Sequence, residues 1–200
     1  MKIKNNLINL SYMFYLCLYL KDIEELNLLD VKYVYDFSHM FQGCSSLSNI
    51  NPLQNWNVSN GTNFSSMFEG CSLLTDITPL TNWNVSKSNN LSHMFHGCSS
   101  IIDIRSLIQL NVSNCNNFSH MFNKCAKLSD INPLEKWNVT KGNNFSFMFY
   151  DCHLSNLQPL ENWKVSNDKN FSLMFRCQYV LDLTPLQKWN LPIDKMRDIK

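Results

Sequence analysis

A methionine–phenylalanine pair returns along this chain at Met13, Met40, Met67, Met94, Met121, Met148 and Met174, a step of 27 residues five times and then 26. A fixed period of roughly 20–50 residues marks an architecture in which each unit stacks on the next and contacts only its neighbours. The period overrides the one or two globular domains that 200 residues would otherwise suggest. It predicts a single array over residues 1–200, closed by a C-terminal tail over 190–200. The fullest copy of the unit runs from Asn63 to Lys87, NFSSMFEGCSLLTDITPLTNWNVSK.

Each position in the unit has a physical reason. Asn9, Asp36, Asn63, Asn90, Asn117, Asn144 and Asn170 precede the Met-Phe run. Asn and Asp cap helices because the side-chain oxygen accepts an otherwise orphaned backbone N–H. The spacing therefore predicts a short helix or 3₁₀ turn over residues such as Phe64 to Glu69, with Gly43, Gly70 and Gly97 ending it. Next come two expected strands. The first is a Leu-x-x-Ile piece such as Leu47 to Asn51, cut short by Pro52, Pro79, Pro133, Pro159 and Pro185. The second is Leu-x-x-Trp-Asn-Val-Ser. Unit four departs, with Ser106 and Leu110 where the others carry Pro and Trp.

Composition narrows the function. The chain is 44% hydrophobic and carries a net charge of +1, with no Lys/Arg cluster. Nucleic acid is excluded as a partner class, because binding it needs a basic footprint. At the N-terminus, Lys2 and Lys4 precede an apolar run from Leu7 to Leu20 that has the outline of a signal peptide. No small-residue cleavage site follows, and LSYMFYLC is in register with FSHMFQGC, so the run is taken as the first repeat. It is also shorter than the roughly 20 residues of a membrane span. An intracellular location is expected.

The pattern MFxGCSxLxxIxPLxxWNVS, nearly intact in units two and three, resembles the BspA-like leucine-rich repeats. That resemblance implies an α/β repeat solenoid: a right-handed leucine-rich-repeat array of about seven units of 26–27 residues, with short strands and short helical or 3₁₀ turns. For function it implies a non-enzymatic protein–protein interaction module. The alternative is a structural or adhesion component that self-associates or belongs to a surface or particle assembly, so the resemblance keeps a surface location open.

No constellation for catalysis stands out, and no cofactor or metal is expected. Seven of the eight cysteines recur in one column and are expected as buried free thiols; Cys115, in the turn SNCN, is expected to be exposed. His39, His93 and His120 share the column before Met, with His96 nearby. A histidine stripe could bind metal or respond to pH, but Ser66, Phe147 and Leu173 fill the same column, so it is taken as a tolerant surface position. Asn49, Asp76, Asp103 and Asp130 form a further column, which either bonds to neighbouring backbone or presents an acidic stripe. With Thr78, Ile102, Arg105 and Asn132 it makes up the expected protein-binding face. Tyr15, Leu16, Leu18 and Tyr19 stand where unit two has Gln42, Gly43, Ser45 and Ser46, and they mark an expected self-association end.

Overall fold

The computed structural model describes residues 7–177 and 182–199; Lys2 and Lys4 lie outside them. Each unit opens on the Asn/Asp column. Asn63 Oδ1 accepts the Ser65 N–H at 3.1 Å, and Asp36, Asn90, Asn117, Asn144 and Asn170 accept from the residue two further on at 3.0 or 3.1 Å. These are Asx turns, in which a side chain imitates a backbone carbonyl.

From there every second N–H leaves its own unit. Phe64, Ser66, Phe68 and Gly70 donate to the carbonyls of Asn90, Ser92, Met94 and His96 at 2.7–3.0 Å. Met67 and Glu69, between them, donate back to Phe64 and Ser66 at 3.3 and 3.2 Å. The alternation requires a left-handed residue at every fourth position: Ser66 at φ 56° and Gly70 at 73°, His93 at 57° and Gly97 at 73°, His120 at 57° and Lys124 at 60°. Lys124 and Asp151 adopt at φ 60° and 57° what glycine adopts in units two to four, so the turn imposes the conformation and glycine only lowers its cost.

This geometry overturns the expected α/β solenoid of leucine-rich-repeat type. Strands need consecutive extended residues, and a positive φ at every fourth position forbids them. Among the described residues there is no sheet, only isolated parallel bridges running from Asn9–Asp36 to Asn144–Asn170. The expected short helix or 3₁₀ turn at Phe64 to Glu69 is a run of hydrogen-bonded turns about the left-handed Ser66. Helical structure consists of the short 3₁₀ segments Glu24–Leu28, Asn51–Leu53, Thr78–Leu80, Arg105–Leu107, Asn132–Leu134, Gln158–Leu160 and Thr184–Trp189, followed by one helix, α1, Ile193–Asp198.

The Leu-x-x-Ile pieces form no ladder either. Among the described residues their inter-unit backbone bonds are confined to His153 N–H to Leu128 and Ser155 N–H to Ser129. Proline, expected to interrupt a strand, instead takes the second position of a 3₁₀ segment, where its fixed φ suits the first turn.

Side chains follow the backbone register, so like stacks on like. Phe14, Phe41, Phe68, Phe95, Phe122, Phe149 and Phe175 form an unbroken column of rings 5.4–5.9 Å apart. Each repeat tryptophan donates its indole N–H to a leucine carbonyl of the unit before it, as Trp83 does to Leu53 at 3.2 Å and Trp137 to Leu107 at 3.0 Å. The thiols do likewise: Cys71 donates to Phe41, Cys98 to Phe68 and Cys152 to Phe122 at 3.0–3.3 Å. All eight cysteines are free. Cys115 is buried, not exposed: it shares its column with Val34, Gly61, Ser88 and Gly142, where the chain turns back under the core with an N–H to a valine carbonyl.

The C-terminal end is closed by the tail. The Leu173 and Phe175 N–H groups, which in earlier units reach the next repeat, donate to Asp198 and Ile199 at 2.6 and 2.9 Å, and Ile199 is fully buried.

Two outcomes follow from this packing. In Arg105–Leu107, Ser106 occupies the place of the prolines; it is buried and its hydroxyl has no partner. Ser106→Pro should raise the stability read from a urea midpoint by about 0.4–1 kcal/mol, through a stiffer unfolded chain; a lower midpoint would show that the turn needs the serine. Burial pushes the Cys44 and Cys177 thiols up to about 11 and Cys115 to about 12, and holds Cys71, Cys98, Cys125 and Cys152 well above the usual thiol range. Iodoacetamide should therefore label Cys17 first in the folded protein and all eight after denaturation without reductant. Rapid labelling of Cys115 in the folded protein would contradict its placement.

Candidate functional site

The expected lateral face is on the surface, but its acidic column has a structural duty. Asn49, Asp76, Asp103 and Asp130 each accept, through Oδ1, the N–H of the residue two further on, at 2.8–2.9 Å. Those N–H groups belong to Asn51, Thr78, Arg105 and Asn132, the first residues of the 3₁₀ segments. Arg105 also folds back on Asp103: its Nε and Nη2 lie 2.7 and 2.6 Å from Oδ2. The hydrogen bond from Arg105 lowers the Asp103 carboxyl pKa, and the acidic stripe is locally neutralised at unit four. Ile102 beside this pair is 58% exposed.

The N-terminal layer is different in kind. Met13 is 49% exposed, whereas Met40, Met67, Met94, Met121, Met148 and Met174 in the same column are no more than 1% exposed. Tyr12, Tyr15, Leu16, Leu18 and Tyr19 surround it, exposed by 44–87%. Leu16 to Leu20 line a shallow groove on this end. Among the described residues, no donor reaches the carbonyls of Asn9, Ser11, Met13 and Tyr15, whose counterparts Asp36, Ser38, Met40 and Gln42 accept bonds from unit one.

The histidine column is packed more tightly than a tolerant surface position would be. His39 stacks on Tyr12 with ring centroids 4.4 Å apart, His93 on His120 at 4.3 Å, and His120 on Phe147 at 4.6 Å. Ser66, lying between His39 and His93, divides the stack in two. Burial lowers the His93 imidazole pKa and takes that of His120 to about 4.

One cluster was legible only in part: His93 and His96 stand out along the chain, and Glu69 does not. His93 Nδ1 lies 3.3 Å from His96 Nδ1, and His96 Nδ1 lies 3.4 Å from Glu69 Oε1. Burial works to raise the Glu69 carboxyl, but hydrogen bonds from His96 and Ser66 and the neighbouring imidazoles outweigh it and hold the group at about 2. Asn123, one repeat beyond His96 in the same column, donates its amide to His120 Nδ1 at 2.8 Å, while its buried Oδ1 has no partner. The signal was present as His-x-x-His at 93 and 96, with Glu69 one period before His96. Seeing it requires reading down the columns as well as along the chain.

No helix among the described residues is long and apolar enough to cross a membrane. A protein-family model described as Mycoplasma protein of unknown function, DUF285, matches residues 8–130 and again 75–189. These matches span most of the chain, and the chain belongs to that family. The finding corrects the resemblance to BspA-like leucine-rich repeats, since the matching family is DUF285. The leucine-rich-repeat assignment therefore fails on the family match as well as on the missing sheet. No curated protein matches the chain.

Proposed function

We propose that this chain is a protein-interaction module without catalytic activity, and that its N-terminal layer is the principal contact surface. The observation that carries this reading is the exposure of Met13, Tyr15, Leu16, Leu18 and Tyr19 in a layer whose counterparts in the following unit are core or small polar residues. Contiguous apolar surface of this kind marks interaction sites in soluble proteins. The stacked units supply a rigid support, and the C-terminal tail gives the opposite end a cover of its own.

Self-association through this layer is the form most directly testable. In size-exclusion chromatography with light scattering, the chain should run as a dimer or larger. Leu18→Ser with Tyr19→Ser, the residues of unit two at that place, should give a monomer of undiminished thermal stability. A monomeric parent chain would remove the self-association reading, and an unfolded double variant would show these residues to be core.

A second contact is proposed on the lateral face. Ile102 and the Arg105–Asp103 pair stand out there from a small polar surface, and arginine is enriched at interface hot spots. Ile102→Ser with Arg105→Ser should weaken capture of a binding protein from the native source and leave the melting temperature nearly unchanged. Capture that survives this change, but is lost on altering the turns around Lys87 and Lys141, would place the contact on the opposite side.

A further inference from the structure

We propose that Glu69, His93 and His96 form a binding site for a divalent transition-metal ion of the zinc class, bracing the third and fourth repeats. The ligand atoms of these residues lie within 4.8 Å of one another. Two of the separations are those a zinc ion would impose. Bonds of about 2.0–2.1 Å in tetrahedral geometry space the ligand atoms about 3.3 Å apart. The observed separations are 3.3 Å between the two Nδ1 atoms and 3.4 Å from His96 to Glu69. The remaining side is closed by turning the Glu69 carboxyl about its last torsion, which is soft.

The donor set selects the ion. Two imidazoles and a carboxylate suit zinc, nickel, copper or iron. Magnesium and calcium demand six or more ligands, mostly oxygen. Thiols do not compete from the core, because the sulfurs there are occupied as donors to phenylalanine carbonyls. Two nitrogens facing each other at 3.3 Å must share a proton or share a cation, and the adjacent carboxylate favours either.

The site is held in place before any ion arrives. His93 has its backbone fixed in the left-handed region and its N–H bonded to Ser119 at 2.9 Å. Its ring lies nearly parallel to His120, at 12°. The Gly70 N–H donates to the His96 carbonyl at 2.7 Å, locking the Glu69 strip of one unit to the histidine strip of the next. Preorganisation of this kind is what a binding constellation needs. Three protein ligands leave a fourth position for water or for a donor from a partner.

The test is calorimetric titration of the 200-residue chain with zinc chloride in a non-thiol reductant. One ion per chain is expected. Glu69→Gln and His96→Gln should each weaken binding by roughly tenfold or more, whereas His39→Gln, outside the cluster, should leave it unchanged. Cobalt(II) bound at the same stoichiometry should show ligand-field bands without a sulfur charge-transfer band. In the parent chain, zinc should shift the imidazole resonances of His93 and His96 but not of His39, a readout that stands even if a variant fails to fold. Absence of binding, affinity unchanged from the parent chain in both cluster variants, a sulfur band, or unshifted His93 and His96 resonances would each overturn the proposal.

Discussion

Everything in this molecule depends on sending alternate backbone N–H groups to the next repeat while the intervening ones close turns at home. The Phe64, Ser66, Phe68 and Gly70 donors tie one unit to the next; the Met67 and Glu69 donors keep the strip coiled. Buried peptide groups have to be paired, and this division pairs both sets without a strand or a helix. Its cost is paid at the left-handed residues. A left-handed conformation is unfavourable by about 1–2 kcal/mol for a residue with a Cβ, yet Ser66, His93, His120 and Phe147 all adopt it. Each such residue sends its N–H to the next unit while the carbonyl of the serine before it accepts from the preceding unit, and these two bonds hold it there.

That backbone register dictates the side-chain chemistry. When a residue lies above its own counterpart, columns of one kind are the natural outcome: stacked phenylalanines, indoles reaching back to carbonyls, thiols doing the same. Cysteine suits its column because it is small, apolar and able to donate weakly to a carbonyl that already accepts a backbone bond. The His93, His96 and Glu69 cluster has the same origin. Two adjacent columns, each tolerant of rings and polar groups, bring three ligand-bearing residues together where units three and four meet.

Much of this order was legible in the period, and the failures are instructive. The Met-Phe step of 27 or 26 residues is also the step between the bridged Asn and Asp residues, and the column of cysteines was correctly taken as free and mostly buried. The capping role of Asn63 was right in its hydrogen bond and wrong in its consequence: its side-chain oxygen begins an Asx turn and not a helix. Nothing in the residue types at Ser66 or His93 announces a positive φ, so a helix seemed the natural product of Phe64, Met67 and Phe68 at helical spacing. The Leu-x-x-Ile pieces have the pattern of strands, but Asp76 captures the Thr78 N–H and the proline after it takes the second position of a 3₁₀ segment. The burial of Cys115 could have been read from Gly61, Ser88 and Gly142, small residues in one column beneath a crowded turn. The expected face at Asp103 lost part of its acidity to Arg105, a pairing that spacing permits but does not require.

Along the Met-Phe strip the inter-unit bonds run from an N–H in one repeat to a carbonyl in the next, so the peptide dipoles of that strip point the same way, while bonds such as Thr62 N–H to Tyr35 and Asn89 N–H to Thr62 run the other way elsewhere in the unit. Aligned peptide dipoles add, as they do along a helix. The carbonyls of Asn9, Ser11, Met13 and Tyr15, which no donor reaches among the described residues, are the negative pole of that strip, and the tail bonded to Leu173 and Phe175 covers the positive one. Two copies meeting head to head along this strip bring like poles together, so the tyrosine and leucine side chains have to supply the attraction there. A foreign segment offering its own N–H groups would meet no such conflict at that end, and would gain both the apolar contact and the field.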